Sequence, residues 1–321
     1  MAREQPAPEL LPARTPWSVH VALLLTQVAF ACLAVEGKLA MSPSFGVSPA
    51  SLAMVRILGG LLVFGLVHVV TPGPRVRSLR DALVLGLLAL LGITLNQALY
   101  LAGLSRTSPI AATLLCAMIP VFTTAVAVVA GRDRLRLRTA LGTGLALFGV
   151  GVLTGFALPA LGDALVLLNA LSYALYVVYV RGSIARYGSL AVIAWVFGWG
   201  ALFYAPFGLG PLLREAPTWP APTVGLVAFL VLVPTVMAYG CNVWALGRAK
   251  PSLVTTYVFL QPLLVVILGW LQLGQALSSR VALAALFIVA GVGVVALRRT
   301  RASGPQAAQR QAAEASPSPS T

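Results

Sequence analysis

The feature that most limits this chain is its series of uncharged apolar runs: Ala82 to Ser105, Thr107 to Gly131, Thr139 to Gly162, Tyr187 to Leu213, Ala216 to Gly247 and Pro251 to Ser279. Each outlasts the roughly 20 residues that a helix needs to cross a hydrocarbon core of about 30 Å. Hydrophobic residues make up 59% of the 321 and charged residues only 9%, whereas a soluble domain is about one quarter charged. Such a chain has too little polar surface to cover a core in water. The runs also lack the period-two alternation of barrel strands, so membrane-spanning helices are expected.

Breaks at charges and turn residues place helices near 18–40, 48–70, 80–103, 107–130, 136–157, 160–181, 189–210, 223–246, 251–272 and 280–298. The tails, 1–16 and 300–321, are rich in Pro, Ser, Ala and Gln and are expected to be disordered. The first apolar stretch, from Val19, is too long for the core of a cleavable signal and is expected to remain. Of the Lys and Arg residues outside the spans, seventeen fall on one set of alternate connections and three on the other. That bias predicts both termini in the cytoplasm and a multi-pass protein of the inner (plasma) membrane. The net charge of +14 is therefore spread over short connections, without the continuous basic stripe of a nucleic-acid partner. Cys32, Cys116 and Cys241 lie within apolar runs with no CxxC spacing, so neither disulfide nor metal is expected, and no cofactor is implied.

Sliding the chain by 142 residues lays Leu101–Leu153 over Val243–Val295 without a gap. Arg106 then meets Arg248, Pro109 meets Pro251, Thr113 meets Thr255, Pro120 meets Pro262 and Arg138 meets Arg280, and Gly149–Val152 repeats as Gly291–Val294. Coincident prolines, arginines and glycines at one offset mark an internal repeat. Five spans per half reverse the direction of the second half. The fold class predicted is all-α integral membrane, with ten transmembrane helices as two inverted five-helix repeats, residues 17–158 and 159–299.

The stretches LSRTSPIAATLLCAMIPVFTTAVAVVAGRDRL (104–135), LGRAKPSLVTTYVFLQPLLVVILGWLQLGQAL (246–277) and SPASLAMVRILGGLLVF (48–64) resemble the EamA family of the drug/metabolite transporter superfamily. The resemblance implies a secondary transporter, an exporter or exchanger of amino acids, related metabolites or amphipathic drugs. It places Arg56 on the family's membrane arginine. The sequence departs from the family pattern at Asp133 and Gln275, where the family has Glu near the ends of the fourth and ninth helices.

Ionisable residues inside a bilayer cost several kcal/mol unless paired or hydrated. Glu36, Lys38, Arg56 and Asp163 are the ones here. Glu36 and Arg56 are at depths that allow an ion pair; equally, Arg56 suits a substrate carboxylate and Glu36 proton coupling. Lys38 and Asp163 lie nearer the surface and suit snorkelling or capping. Neutral polar residues recur at equivalent depths: the offset maps Gln27 onto Asn169, Gln97 onto Tyr239 and Tyr100 onto Asn242. Asn169, Tyr173 and Tyr176 share one helix face, Tyr239 and Asn242 another, and Asn96 and Tyr100 a third, with Gln261 completing the set. They read either as hydrogen bonds between helices or as the lining of a hydrated central cavity that binds substrate. Pro120 and Pro262 should kink their helices and are candidate hinges.

Lys38 and Lys250 are the only lysines, and neither ends a GxxxxGK[ST] sequence, so this chain has no phosphate-cradling loop. A small-molecule solute and the lipid bilayer are the expected partners, with a proton gradient and a second copy in a homodimer as further candidates. The alternative is a polytopic enzyme acting on lipid or a lipid-linked sugar. Such chemistry needs clustered carboxylates or histidines, and His20 and His68 stand apart at helix ends.

Overall fold

A computed structural model of the chain describes residues 16–131, 137–156, 159–249, 257–258, 260–274 and 278–296. The two tails, the repeat partners Pro251 and Thr255, and the departures Asp133 and Gln275 lie outside the described residues. Every regular element among those described is helical. In chain order they are α1 (Trp17–Ala40), α2 (Pro49–Val70), α3 (Leu79–Leu104), α4 (Pro109–Val129), α5 (Leu137–Thr154), α6 (Leu161–Glu215), α7 (Ala221–Leu246), α8 (Leu260–Leu273) and α9 (Ser279–Ala296). Six of these, α1 to α4, α6 and α7, are long and apolar enough to cross a bilayer. Their outward positions carry Leu62, Leu66, Leu83, Leu202 and Phe207, the surface expected against lipid, where helices keep all their backbone bonds internal.

Local chemistry sets the helix starts. Ser48 and Ser108 accept hydrogen bonds from the backbone N–H of Ser51 and Ala111, each at 3.1 Å. A proline follows each cap, where its missing N–H costs nothing. Lys38, at the end of α1, donates to the carbonyls of Leu104, Ser105 and Thr107, all at 2.9 Å, and so caps the end of α3. Asp163 accepts from Thr107 at 2.7 Å. Lys38 thus acts as the capping group expected, whereas Asp163, in the first turn of α6, bonds a neighbouring side chain and caps no backbone N–H.

The sequence leads one to expect a loop over 182–188, but α6 runs unbroken to a single residue, Gly188, with φ 77° and ψ 162°. Only glycine adopts that conformation without strain. The chain reverses there. Along α3, Gly103 lies against Gly162, the Leu91 carbonyl meets Ser172, and Asp81 meets Arg186, so the first limb of α6 (161–187) runs antiparallel to α3. A straight continuation would carry Gly200 about 20 Å past Asp81; instead Gly200 packs on Ile93. The second limb (189–215) thus returns beside α3 and also covers α2, where Glu215 accepts from the Ser48 N–H at 3.0 Å.

Residues 142 apart repeatedly do the same thing. A π-helical turn interrupts α3 at Leu90–Leu95 and α7 at Leu232–Met237. Arg106 donates to the Ala102 carbonyl and Arg248 to the Trp244 carbonyl. Pairings correspond as well: α1 lies along α7 as the first limb of α6 lies along α3, and α5 packs on α9. In that last pair a Cβ at Gly149 would strike the Ile288 N–H nitrogen and the Ala284 carbonyl, and one at Gly291 the Ala146 nitrogen and the Gly142 carbonyl. These glycines let two backbones touch.

Replacing Gly291 by leucine should therefore separate α5 from α9, since its Cβ would stand 2.4 Å from the Ala146 nitrogen. We expect a loss of about 1–3 kcal/mol, read as a lowered midpoint of thermal unfolding in detergent. Gly144→Ala, with nothing within 4 Å of the new Cβ, should leave the midpoint unchanged.

Candidate functional site

Two helical turns into α2, Arg56 is the largest fully buried side chain among the described residues, only 1% exposed. Its guanidinium finds three acceptors. Nε donates to Thr235 Oγ1 at 2.9 Å, one Nη to Gln97 Oε1, and the other to the Pro234 carbonyl at 3.4 Å. All three are neutral. Glu36, the carboxylate placed at a matching depth by the sequence, makes no ion pair with it; the ion pair found among the described residues joins Arg186 to Asp81 at 2.8 Å.

Two of these acceptors exist because the helix α7 is broken at this level. Pro234 has no N–H to give to the Leu230 carbonyl, four residues before it. The Thr235 hydroxyl takes over, donating to Leu230 O at 3.0 Å while its oxygen accepts from Arg56. The matching π turn of α3 contains no proline, but it too exposes carbonyls to neighbouring side chains. Ser172 Oγ donates to Leu91 O and Asn169 Nδ2 to Asn96 O, each at 2.8 Å. Gln97 is the second residue after that turn. Local loss of helical regularity in α3 and α7 thus creates the polar level of the molecule.

Around this level lies a cavity of about 80 Å³. Arg56, Asn96, Gln97, Tyr100, Asn169, Tyr173, Tyr239 and Gln261 contribute its polar lining, with apolar walls from Phe30 and Leu33 of α1 and Cys116 and Ile119 of α4. Seven helices converge here. Tyr239 donates to Asn96 Oδ1 at 3.3 Å, and Phe30 and Phe197 hold its ring in edge-to-face contacts at 5.9 and 5.4 Å. Asn242 Nδ2 donates to the Tyr173 hydroxyl at 3.2 Å. Gln97 Nε2 and the Tyr100 hydroxyl are buried and have no partner, although donors so placed ordinarily find acceptors.

Eight of the polar residues singled out from sequence therefore meet at one place. Asn242 stands one hydrogen bond behind them. Gln27 is buried on α1 and Tyr176 packs against Gly92, both away from the lining. Pro120 lies in the first turn of Ile119–Val129, directly after a break at Ala117–Met118, which is the interruption its missing N–H predicts. Pro262 opens α8, and most of what precedes it lies outside the described residues. Sequence reasoning missed Thr235 as the partner of Arg56. The signal was present in the Pro234–Thr235 pair, because a mid-helix proline frees a carbonyl that an adjacent hydroxyl can take.

The model of the EamA-like transporter family matches this chain twice, over residues 17–155 and 160–297. The chain belongs to that family. It is a multi-pass membrane protein, and family membership sets it among transporters and apart from the lipid-processing enzymes considered from sequence. Similar proteins include the uncharacterized transporter YdfC of Bacillus subtilis, 27% identical over 77% of this chain and 81% of that one. A probable terminal-alkyne amino-acid exporter of Streptantibioticus cattleyicolor is 24% identical over 85% and 92% of the two chains. Protein WALLS ARE THIN 1 of Arabidopsis thaliana is 24% identical over 85% and 81%. A solved crystal structure shares the fold, with a TM-score of 0.61 at 21% identity over 90% of this chain and 100% of the other.

In this EamA-like transporter, Thr235→Val keeps the shape of the side chain but leaves the Leu230 carbonyl without its donor and Arg56 Nε without its acceptor. A buried polar group left unpaired costs about 1–3 kcal/mol. Chemical unfolding in detergent should register that loss, and Thr235→Ser should recover most of it.

Proposed function

We propose that this protein is a secondary transporter, working as exporter or exchanger, for small metabolites that carry a carboxylate, amino acids foremost. The observation that carries the reading is the buried Arg56 cation. Arginine stays charged in proteins, and a charge at this depth is costly unless something compensates it. Its three protein partners are neutral, and Gln97 Nε2 and the Tyr100 hydroxyl beside it are donors in want of acceptors. A carboxylate supplies negative charge and four lone-pair sites at once, and a guanidinium can grip it with two parallel bonds. The printed description of the S. cattleyicolor relative, an amino-acid exporter, agrees in chemistry.

Alternating access follows as the mechanism. At about 80 Å³ the cavity is far smaller than the roughly 300–1,000 Å³ of ordinary small-molecule pockets. Any solute beyond a few heavy atoms needs the surrounding helices to part. Ten spans arranged as two inverted five-helix repeats, 17–158 and 159–299, would supply bundles that rock about the site. That count takes the limbs of α6 as two spans, since 55 residues would measure about 80 Å against a core of about 30 Å. The paired π turns, the Gly149 and Gly291 contacts and the twofold family match support it. The positive-inside bias favours cytoplasmic termini and the inner (plasma) membrane. Pro120 and Pro262 are the proposed hinges and Glu36 the proton-coupling group.

Reconstitution into proteoliposomes tests the reading. Labelled amino acids and other small carboxylates should move, and their amide or decarboxylated counterparts should not. Arg56→Met should lower transport roughly 10–100-fold, the range expected for losing a hydrogen bond to a charged group. Thermal stability should change by no more than about 3 kcal/mol, because relief of the buried charge offsets the cost of leaving Gln97 Oε1 and the Pro234 carbonyl without their donor. Glu36→Gln should abolish any acceleration by a pH gradient while leaving exchange at symmetric pH intact. Wild-type transport by Arg56→Met would refute the assignment of the carboxylate to this arginine.

A further inference from the structure

A second cavity, of about 510 Å³, lies between the last turn of α2 and the second limb of α6. It shares no residue with the polar cavity. Gly65 and Gly198 line it on facing helices, and Trp195 and Trp199 form its apolar walls. The glycines do not serve close packing here. A Cβ at Gly198 would come no nearer than 3.8 Å to a neighbour, and one at Gly65 no nearer than 3.6 Å, in both cases to Leu61. Their missing side chains leave a groove.

The groove is amphipathic along its length. Its flank opens beside Val69, 73% exposed, and Leu202, 61% exposed, which belong to the lipid-facing surface. Its charge is confined to one end, where Arg75 of the connection 71–78 joins His68. Arg77 and Arg80 follow closely, and all three arginines are exposed. The acid nearest in sequence, Asp81, is already held by Arg186 at 2.8 Å and by the Tyr187 hydroxyl. Among the described residues Arg75 has no anionic partner.

We propose that this groove binds one anionic phospholipid, its phosphate against Arg75 and His68 and one acyl chain along the Trp195 and Trp199 face. The dimensions agree. From Ala194 to Leu202 the second limb rises about 12 Å, most of one leaflet of a core about 30 Å thick. Indole rings favour the membrane–water interface, which the Gly188 reversal and the Asp81–Arg186 pair place about 10 Å beyond Trp195 along the second limb. A soluble anion would gain from the cationic end but nothing from the apolar remainder. A zwitterionic lipid brings its own ammonium into the field of Arg75, Arg77 and Arg80 and loses part of the attraction.

Native mass spectrometry of the full chain, purified in detergent and incubated with phosphatidylglycerol and phosphatidylethanolamine of identical acyl chains, tests this. The wild type should retain the anionic lipid about tenfold more than the zwitterionic one. Arg75→Gln with His68→Gln, both outside the helix-packing core, should bring the two lipids to parity. Gly198→Leu should retain less of both lipids, because its side chain projects into the groove, while eluting as a single species at the wild-type position in size exclusion. Equal retention of the two lipids by the wild type would overturn the proposal. So would a preference that survives Arg75→Gln with His68→Gln, or undiminished lipid on a monodisperse Gly198→Leu.

Discussion

Within a bilayer a backbone carbonyl has no water to bond with, and that requirement organises the centre of this molecule. Helices α3 and α7 each give up regular hydrogen bonding for one π turn, at Leu90–Leu95 and Leu232–Met237. Their carbonyls must then find side chains. Ser172 and Asn169 supply donors to α3, and Thr235 and Arg56 to α7. The polar residues are concentrated at this depth for a backbone reason before any solute is considered. Arg56 goes further than the others, since one threonine, one glutamine and one carbonyl do not neutralise a cation.

This distinction separates the groups that complete the fold from those held ready for something else. Ser172, Asn169 and Thr235 have each found a partner, and removing them would leave holes in a closed network. Gln97 and Tyr100 retain unused donors in the cavity beside Arg56. A network that is only partly satisfied costs stability. Its persistence at the convergence of seven helices agrees with the acceptor-rich solute proposed above, for a site rich in donors and lined by no acid.

Much of this was legible in the sequence, because bilayer thickness turns hydropathy into helix positions. Breaks at charges and turn residues placed the starts of α2 and α4 within two residues of Pro49 and Pro109, and Arg56 stood out as an ion in an apolar run. The 142-residue offset paired the glycines Gly149 and Gly291, which turn out to touch backbones across α5 and α9. Other features were hidden. Seven residues between two expected helices read as a loop, yet a positive φ at Gly188 alone reverses the chain; hydropathy does not report φ. Glu36 and Arg56 matched in depth, but depth says nothing of rotation about the helix axis, and the guanidinium turns towards α3 and α7. Thr235 was missed as the partner of Arg56. Its role depends on the carbonyl that Pro234 leaves free, which no periodicity reveals.

The same irregular turns bear on how such a site can open. A straight helix resists bending because each turn is tied to the next, whereas a π turn or a proline has already surrendered a tie and exchanged it for a side-chain bond. Around the cavity α3 and α7 carry π turns, α4 is broken ahead of Pro120, and Pro262 sits in the first turn of α8. In the proposed transport cycle, movement at these points would exchange one hydrogen-bond partner for another without exposing a backbone group to lipid. The α5–α9 pair has no such break among the described residues and is joined backbone to backbone. In the transport cycle proposed above, that pair is the fixed element, and the helices that bend are those that line the site.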